Sequence, residues 1–135
     1  MPAGYSGTPL IKKLGIQPGM KLHLIHAPAE YSTWLEFDAA KHLASKKEVP
    51  DLVHLFATAE KIFVSEMKSI LPLCNKNSKL VIWVSWYKKS AGIPTDLTED
   101  VIRNWALKNG LVDVKVCAVS EAWSGLKLVV PLSKR

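Results

Sequence analysis

No glycine occurs between Gly19 and Gly92, a span covering more than half of the chain. Backbone approaches a pyrophosphate closely only where no Cβ intervenes, so neither a G-x-G-x-x-G fingerprint nor a phosphate-cradling loop exists there. Cysteine is almost as scarce. Cys74 and Cys117 make neither a disulfide framework nor a paired metal motif, which points to a reduced compartment. Arginine is limited to Arg103 and Arg135, although bidentate recognition of phosphate and guanine favours it. No apolar run reaches the roughly 20 residues of a membrane span. Met1–Thr8 lacks the charged start and apolar middle of a signal peptide, so a cytoplasmic chain with no membrane partner is expected. HExxH, CxxC and GxSxG are all missing, which removes the common zinc, dithiol and nucleophile-elbow chemistries; no metal is expected.

What is present has the size of one domain, residues 1–135, with 48% hydrophobic and 22% charged residues, enough apolar material for a core without staples. The net charge of +6 attracts phosphate in general. The cations are nearly all lysines interspersed with acids, as in Lys46-Lys47-Glu48 and Glu60-Lys61. That pattern describes a solvated surface and disfavours nucleic acid as a partner.

Helix and strand signals alternate along the chain. Thr8 can cap a first helix with Pro9 at its first position, and Gly15 suits its left-handed stop. Lys21–Pro28, KLHLIHAP, reads as a strand with one wet face. Glu30–Ala44 is helical in tone, with Tyr31, Trp34, Leu35 and Leu43 apolar. Asp51–Ala57 and Lys79–Trp86 are continuous apolar runs that fit strands buried on both faces. Between them Ile62, Phe63, Met67, Ile70 and Leu71 recur at helical spacing until Pro72. Thr98 can cap a further helix whose first turn carries Glu99 and Asp100, and Gly110 stops it. In LVDVKVCAV the alternation turns Val112, Val114 and Val116 to the core and Asp113 and Lys115 to water, and SEAWSG leads into a last strand, LKLVV.

These elements predict an α/β fold: a mostly parallel, Rossmann-like, three-layer sheet of five strands in the order 1-2-3-5-4, closed by a C-terminal antiparallel hairpin. Right-handed crossovers stepping one way would stack their helices on one face. The other face would then have only the short first helix, and a homodimer through that face is expected.

LGIQPGMKLHLI resembles the entry to the first strand of class I methyltransferases, and LPLCNKNSKLVIWVSW resembles their penultimate helix-loop-strand element. The glycine-rich turn of those enzymes is replaced here by His26-Ala27-Pro28-Ala29-Glu30, and their next two strands have no counterpart. The resemblance implies a skeleton without the ordinary cofactor site, so no cofactor is expected. Over nearly the whole chain, YSGTPLIKKLGI, DLVHLF, WVSWYKKSAGIPTDLTEDVIR and GLVDVKVCAVSEAWSGLKLVV are similar to a family of small, stand-alone bacterial proteins of unknown function. Tyr87 stands where that family usually has proline.

Ligands of parallel sheets gather beyond the carboxyl ends of the strands. That edge should carry residues 26–30, 58–60, 85–96 and the hairpin tip 120–125, which makes His26, Trp86, Lys88, Lys89, Thr95, Asp96, Glu121 and Trp123 the candidate lining. Lys88 and Lys89 beside the next helix could hold a phosphate or carboxylate. Trp86 and Trp123 can equally pack together to close the core, and Asp96 with Glu99 fits a capping-box spacing. His26, with Glu30 or Glu121 as partner, is a conceivable general base. His54, inside an apolar strand, reads as a hydrogen-bonded core histidine. The first functional reading is a non-catalytic binding or regulatory domain for a small anionic ligand or a protein. The alternative is an enzyme using His26 or Asp96 in acid–base work with a lysine on the anion.

Overall fold

The computed structural model describes residues 8–135, so the first residues of the Met1–Thr8 stretch and of the YSGT string lie outside it. Five strands, β1 (Leu22–Ile25), β2 (Leu52–Phe56), β3 (Val81–Tyr87), β4 (Val112–Ala118) and β5 (Trp123–Val129), form one sheet in the order β1-β2-β3-β5-β4. The order is the expected one. The pairing is more mixed than expected: β1–β2 and β2–β3 are parallel, whereas β3–β5 and β4–β5 are antiparallel. All five residues of β2 are buried, as a central strand requires.

Helices cover both faces. On one, α3 (Glu60–Ile70) and α5 (Glu99–Lys108) bury Phe63, Met67, Ile70, Ile102 and Ala106 against Val53, Leu55, Ile82 and Val84, with α4 (Leu73–Lys76) at the margin. On the other, α1 (Leu10–Leu14) and α2 (Tyr31–Leu35) bury Leu10, Leu14, Tyr31 and Leu35 against Leu52, Phe56 and Trp83. Each Val, Leu, Ile, Phe or Met among them contributes about 1.5–3 kcal/mol by leaving water. The crossover after β1 therefore passes over one face and that after β2 over the other. The first runs through α2 to the outer edge of β1, where Leu43 bridges Leu22, before the chain returns to β2, and the expectation of helices on one face fails. Tyr31 and Leu35 supply the missing cover, which removes the reason for placing a second copy of the chain there.

Local signals hold in part. Gly15 and Gly110 take positive φ, 78° and 82°, at the ends of α1 and α5, and the Thr98 hydroxyl accepts from the Val101 N–H at 3.2 Å. Thr8 does not cap: Pro9 occupies the N-cap of α1, without a side-chain bond. The helical tone of residues 30–44 resolves into the five residues of α2 and a 3-10 turn at Ala39–His42. In β4 the expected alternation is broken: Lys115 faces water as expected, but so do Val114 and Val116. A register shift between Asp113 and Lys115 leaves Val114 and Val116 exposed, 56% and 47%, while Asp113 turns to Arg103 of α5. One extra residue in an edge strand is enough to break its alternation.

Candidate functional site

The carboxyl ends of β2 and β3 and the β4–β5 tip form one rim. Tyr87 pairs with Trp123 across β3 and β5, and the Lys88 N–H donates to the Ala122 carbonyl at 2.9 Å. Loop and hairpin therefore meet, as expected. Their tryptophans do not. Trp86 is one residue before Tyr87, so it points to the α3–α5 face, whereas Trp123 points to the α1–α2 face and packs on Phe56 and Tyr87. Successive residues of a strand alternate faces, and this alone divides the expected lining between two cavities.

On the α3–α5 face a groove of about 690 Å³ is lined by Trp86, Lys88, Lys89, Thr95 and the first turn of α5. Lys88 is half-buried and Lys89 exposed, and neither ammonium group has an ion-pair or hydrogen-bond partner among the described residues. Trp86 is only 8% exposed, and its indole N–H has no partner among them either. No buried side-chain nitrogen or oxygen lacks a partner, so this N–H opens at the surface. Glu99 and Asp100 also line the groove, and both are paired with Arg103, whose guanidinium donates to Glu99, to Asp100 at 2.9 Å and to Asp113 at 3.0 Å. The hydrogen bonds to Glu99 and Asp113 hold the Arg103 pKa above its ordinary value.

On the α1–α2 face a second cavity of about 610 Å³ lies under the hairpin tip, walled by Trp34 and Trp123 and rimmed by Glu30, Glu36 and Glu121. Glu121 and Trp123 belong to this cavity and not to the lysine groove. Glu30, Glu36 and Trp34 were missed as site residues. Their only sequence signal was a position after the first strand.

Three candidates hold the rim together. The Asp96 carboxylate accepts from the Glu60 N–H at 2.8 Å, so it caps α3 rather than its own helix. The Thr95 hydroxyl donates to the Thr58 carbonyl at 2.9 Å and accepts from the Leu97 N–H. His26, with φ 57°, bonds Glu66 of α3 at 2.7 Å, not Glu30 or Glu121. In a sheet whose successive crossovers diverge, the crevice between β1 and β2 is where a Rossmann ligand would sit. There the His26–Glu66 pair ties the β1 loop to α3, and neither rim cavity touches His26. Asp96 thus caps α3, and the carboxylate partner of His26 is Glu66 rather than Glu30 or Glu121.

Under the rim, His54 is fully buried between the Tyr31 hydroxyl, 2.8 Å from Nδ1, and the Ser85 hydroxyl, 2.7 Å from Nε2. Burial lowers its pKa from 6.5 to about 3, so the imidazole is neutral, as expected for a satisfied core histidine. Burial, and then the nearby Cys117, raises the Tyr31 phenol. A serine–histidine pair is present but sealed. A Cβ on Gly125 would lie 3.4 Å from the Ser85 hydroxyl, so β5 forms its lid. Burial also raises the thiols of Cys74 and Cys117, opposite to the shift that activates a nucleophile.

No family model and no curated protein sequence matches the chain, so the likeness to the small bacterial family rests on the strings quoted above. Solved structures match at the level of fold. An uncharacterised protein of Listeria monocytogenes superposes with a TM-score of 0.59 at 6% identity, covering 93% of this chain and 68% of its own. A protein of the NADB-Rossmann superfamily from Streptococcus agalactiae gives 0.50 at 10% identity, covering 95% and 70%. The B. subtilis M1A22 tRNA methyltransferase TrmK gives 0.43 at 10% identity over 82% of this chain and 49% of its own, too loose a superposition to define a shared site. The chain has a Rossmann-like α/β fold.

Proposed function

We propose that this chain is a non-catalytic binding domain for a small anion, a metabolite carrying phosphate or carboxylate, held in the groove between β3 and α5. One observation carries the reading: Lys88 and Lys89, whose ammonium groups have no ion-pair or hydrogen-bond partner among the described residues, line one groove with Trp86 and the start of α5. The first turn of a helix has backbone N–H groups with no intrahelical acceptor and a partial positive charge, and only that of Val101 is taken by Thr98. Arg103 pairs with the neighbouring acids Glu99 and Asp100, and the two lysines and the backbone donors of α5 face one anion. The non-catalytic part is supported by His54 and Ser85 being sealed in the core and by Asp96 being held on α3.

Thermal-shift titration of the full chain with inorganic phosphate, pyrophosphate and phosphorylated sugars tests this. A probe at about 100 times its Kd adds about 2.7 kcal/mol of stability. The Lys88→Ala/Lys89→Ala variant should lose that gain while its unliganded Tm is unchanged. A gain of equal size in the variant would remove the lysines from the site.

A further inference from the structure

We infer that the cavity on the α1–α2 face is a second site, and that it takes an organic ammonium ion carrying a neutral hydrogen-bond acceptor such as a hydroxyl. It lies across the sheet from the lysine groove and does not depend on the anion reading.

The charge of the lining sets the sign of the ligand. The chain carries 18 Lys and Arg against 12 Asp and Glu, yet the charged residues around this cavity are Glu30, Glu36 and Glu121, with no Lys, Arg or His among its lining. None of the three carboxylates has an ion-pair or hydrogen-bond partner among the described residues. Acids are thus grouped, unpaired, at one mouth of a basic protein.

The walls set the body of the ligand. Trp34 is half-buried and Trp123 is 8% exposed, and indole faces attract an ammonium within about 6 Å of the ring. Pro9, Leu10 and Pro28 complete an apolar surround. A volume of about 610 Å³ falls in the roughly 300–1,000 Å³ range of small-molecule sites.

The acceptor follows from Trp123. More than nine-tenths of this residue is buried, its indole N–H has no partner among the described residues, and no buried side-chain nitrogen among them lacks one, so the N–H reaches solvent, and Trp123 lines this cavity. Ser120 beside it accepts from the Ala122 and Trp123 N–H groups, which leaves its hydroxyl proton as a second donor. These donors suit a hydroxyl or ether oxygen. A carboxylate in that place would face Glu121.

Three soluble probes separate the parts of the proposal: choline has charge and hydroxyl, tetramethylammonium has charge alone, and 3,3-dimethylbutan-1-ol has the shape and hydroxyl of choline without charge. They are titrated into the 15N-labelled full chain, following the five tryptophan indole N–H resonances. Choline should move Trp34 and Trp123 saturably and leave Trp83, which is bonded to the Leu14 carbonyl, in place. Tetramethylammonium should bind several-fold more weakly, and the neutral alcohol at least about tenfold more weakly. The three glutamates are exposed, so Glu30→Gln/Glu36→Gln/Glu121→Gln should fold normally and raise the choline Kd about tenfold. Trp123→Phe keeps the ring and should reduce choline to the affinity of tetramethylammonium. Equal binding of the neutral alcohol, an unchanged Kd in the triple variant, or no saturable shift up to about 0.1 M of either cation would overturn the proposal.

Discussion

Lys88 and Ala122 are joined by a 2.9 Å backbone hydrogen bond from the lysine loop to the hairpin tip. That bond fixes the rim, and the parity of the strands beneath it separates the rim into a basic groove and an acidic, aromatic cavity. Lys88 and Lys89 line the one and Glu30, Glu36 and Glu121 the other, with Trp86 and Trp123 on opposite sides of a single sheet.

The sealed histidine makes stability depend on pH. The folded imidazole takes a proton only near pH 3, whereas its ordinary value is 6.5, so between these values the unfolded chain binds more protons. The stabilisation is complete above pH 6.5 and is lost as pH falls toward 3, by at most about 1.4 kcal/mol per pH unit. His54→Gln, which cannot titrate, should show a flatter decline of urea midpoint between pH 7 and pH 5. Parallel profiles would mean that His54 is charged or accessible in the folded state.

Asp96 is a helix cap in trans. Asp96→Ala should cost about 1 kcal/mol in denaturant midpoint through the lost acceptor for the Glu60 N–H, and Asp96→Asn should recover most of it. Equal losses in both variants would point to a role for the charge.

Arg103 pairs with Glu99 and Asp100 at the edge of the groove. Arg103→Gln should free both carboxylates beside the lysines and weaken anion binding measured by calorimetry, with a larger effect at low salt, where repulsion is least screened. Unaltered affinity at low salt would show that the acids do not act on the bound anion.

Much of this was readable from the chain. Two unbroken apolar runs identified β2 and β3 as central, the alternation after Gly110 announced the hairpin, and Thr98 marked the start of α5. The site was less legible, for three reasons. Trp86 and Trp123 are both strand-end aromatics, and their faces follow only from the register that pairs Tyr87 with Trp123. The bulge in β4 breaks a clean alternation without any glycine or proline to mark it. The partners of His26, Asp96 and Thr95 lie 40, 36 and 37 residues away, beyond any local spacing rule, so groups that look free in sequence are bonded in the fold. The α2 segment is a related case: five residues cover a sheet face through Tyr31 and Leu35 where periodicity offered only a vague helix.

The most direct measurement is the position of the Trp86 indole N–H resonance during titration of the full chain with inorganic phosphate and pyrophosphate. The account predicts a saturable shift of Trp86, absent from Trp123 and abolished by Lys88→Ala/Lys89→Ala. A shift confined to Trp123, or one at Trp86 that persists in the lysine variant, would contradict it.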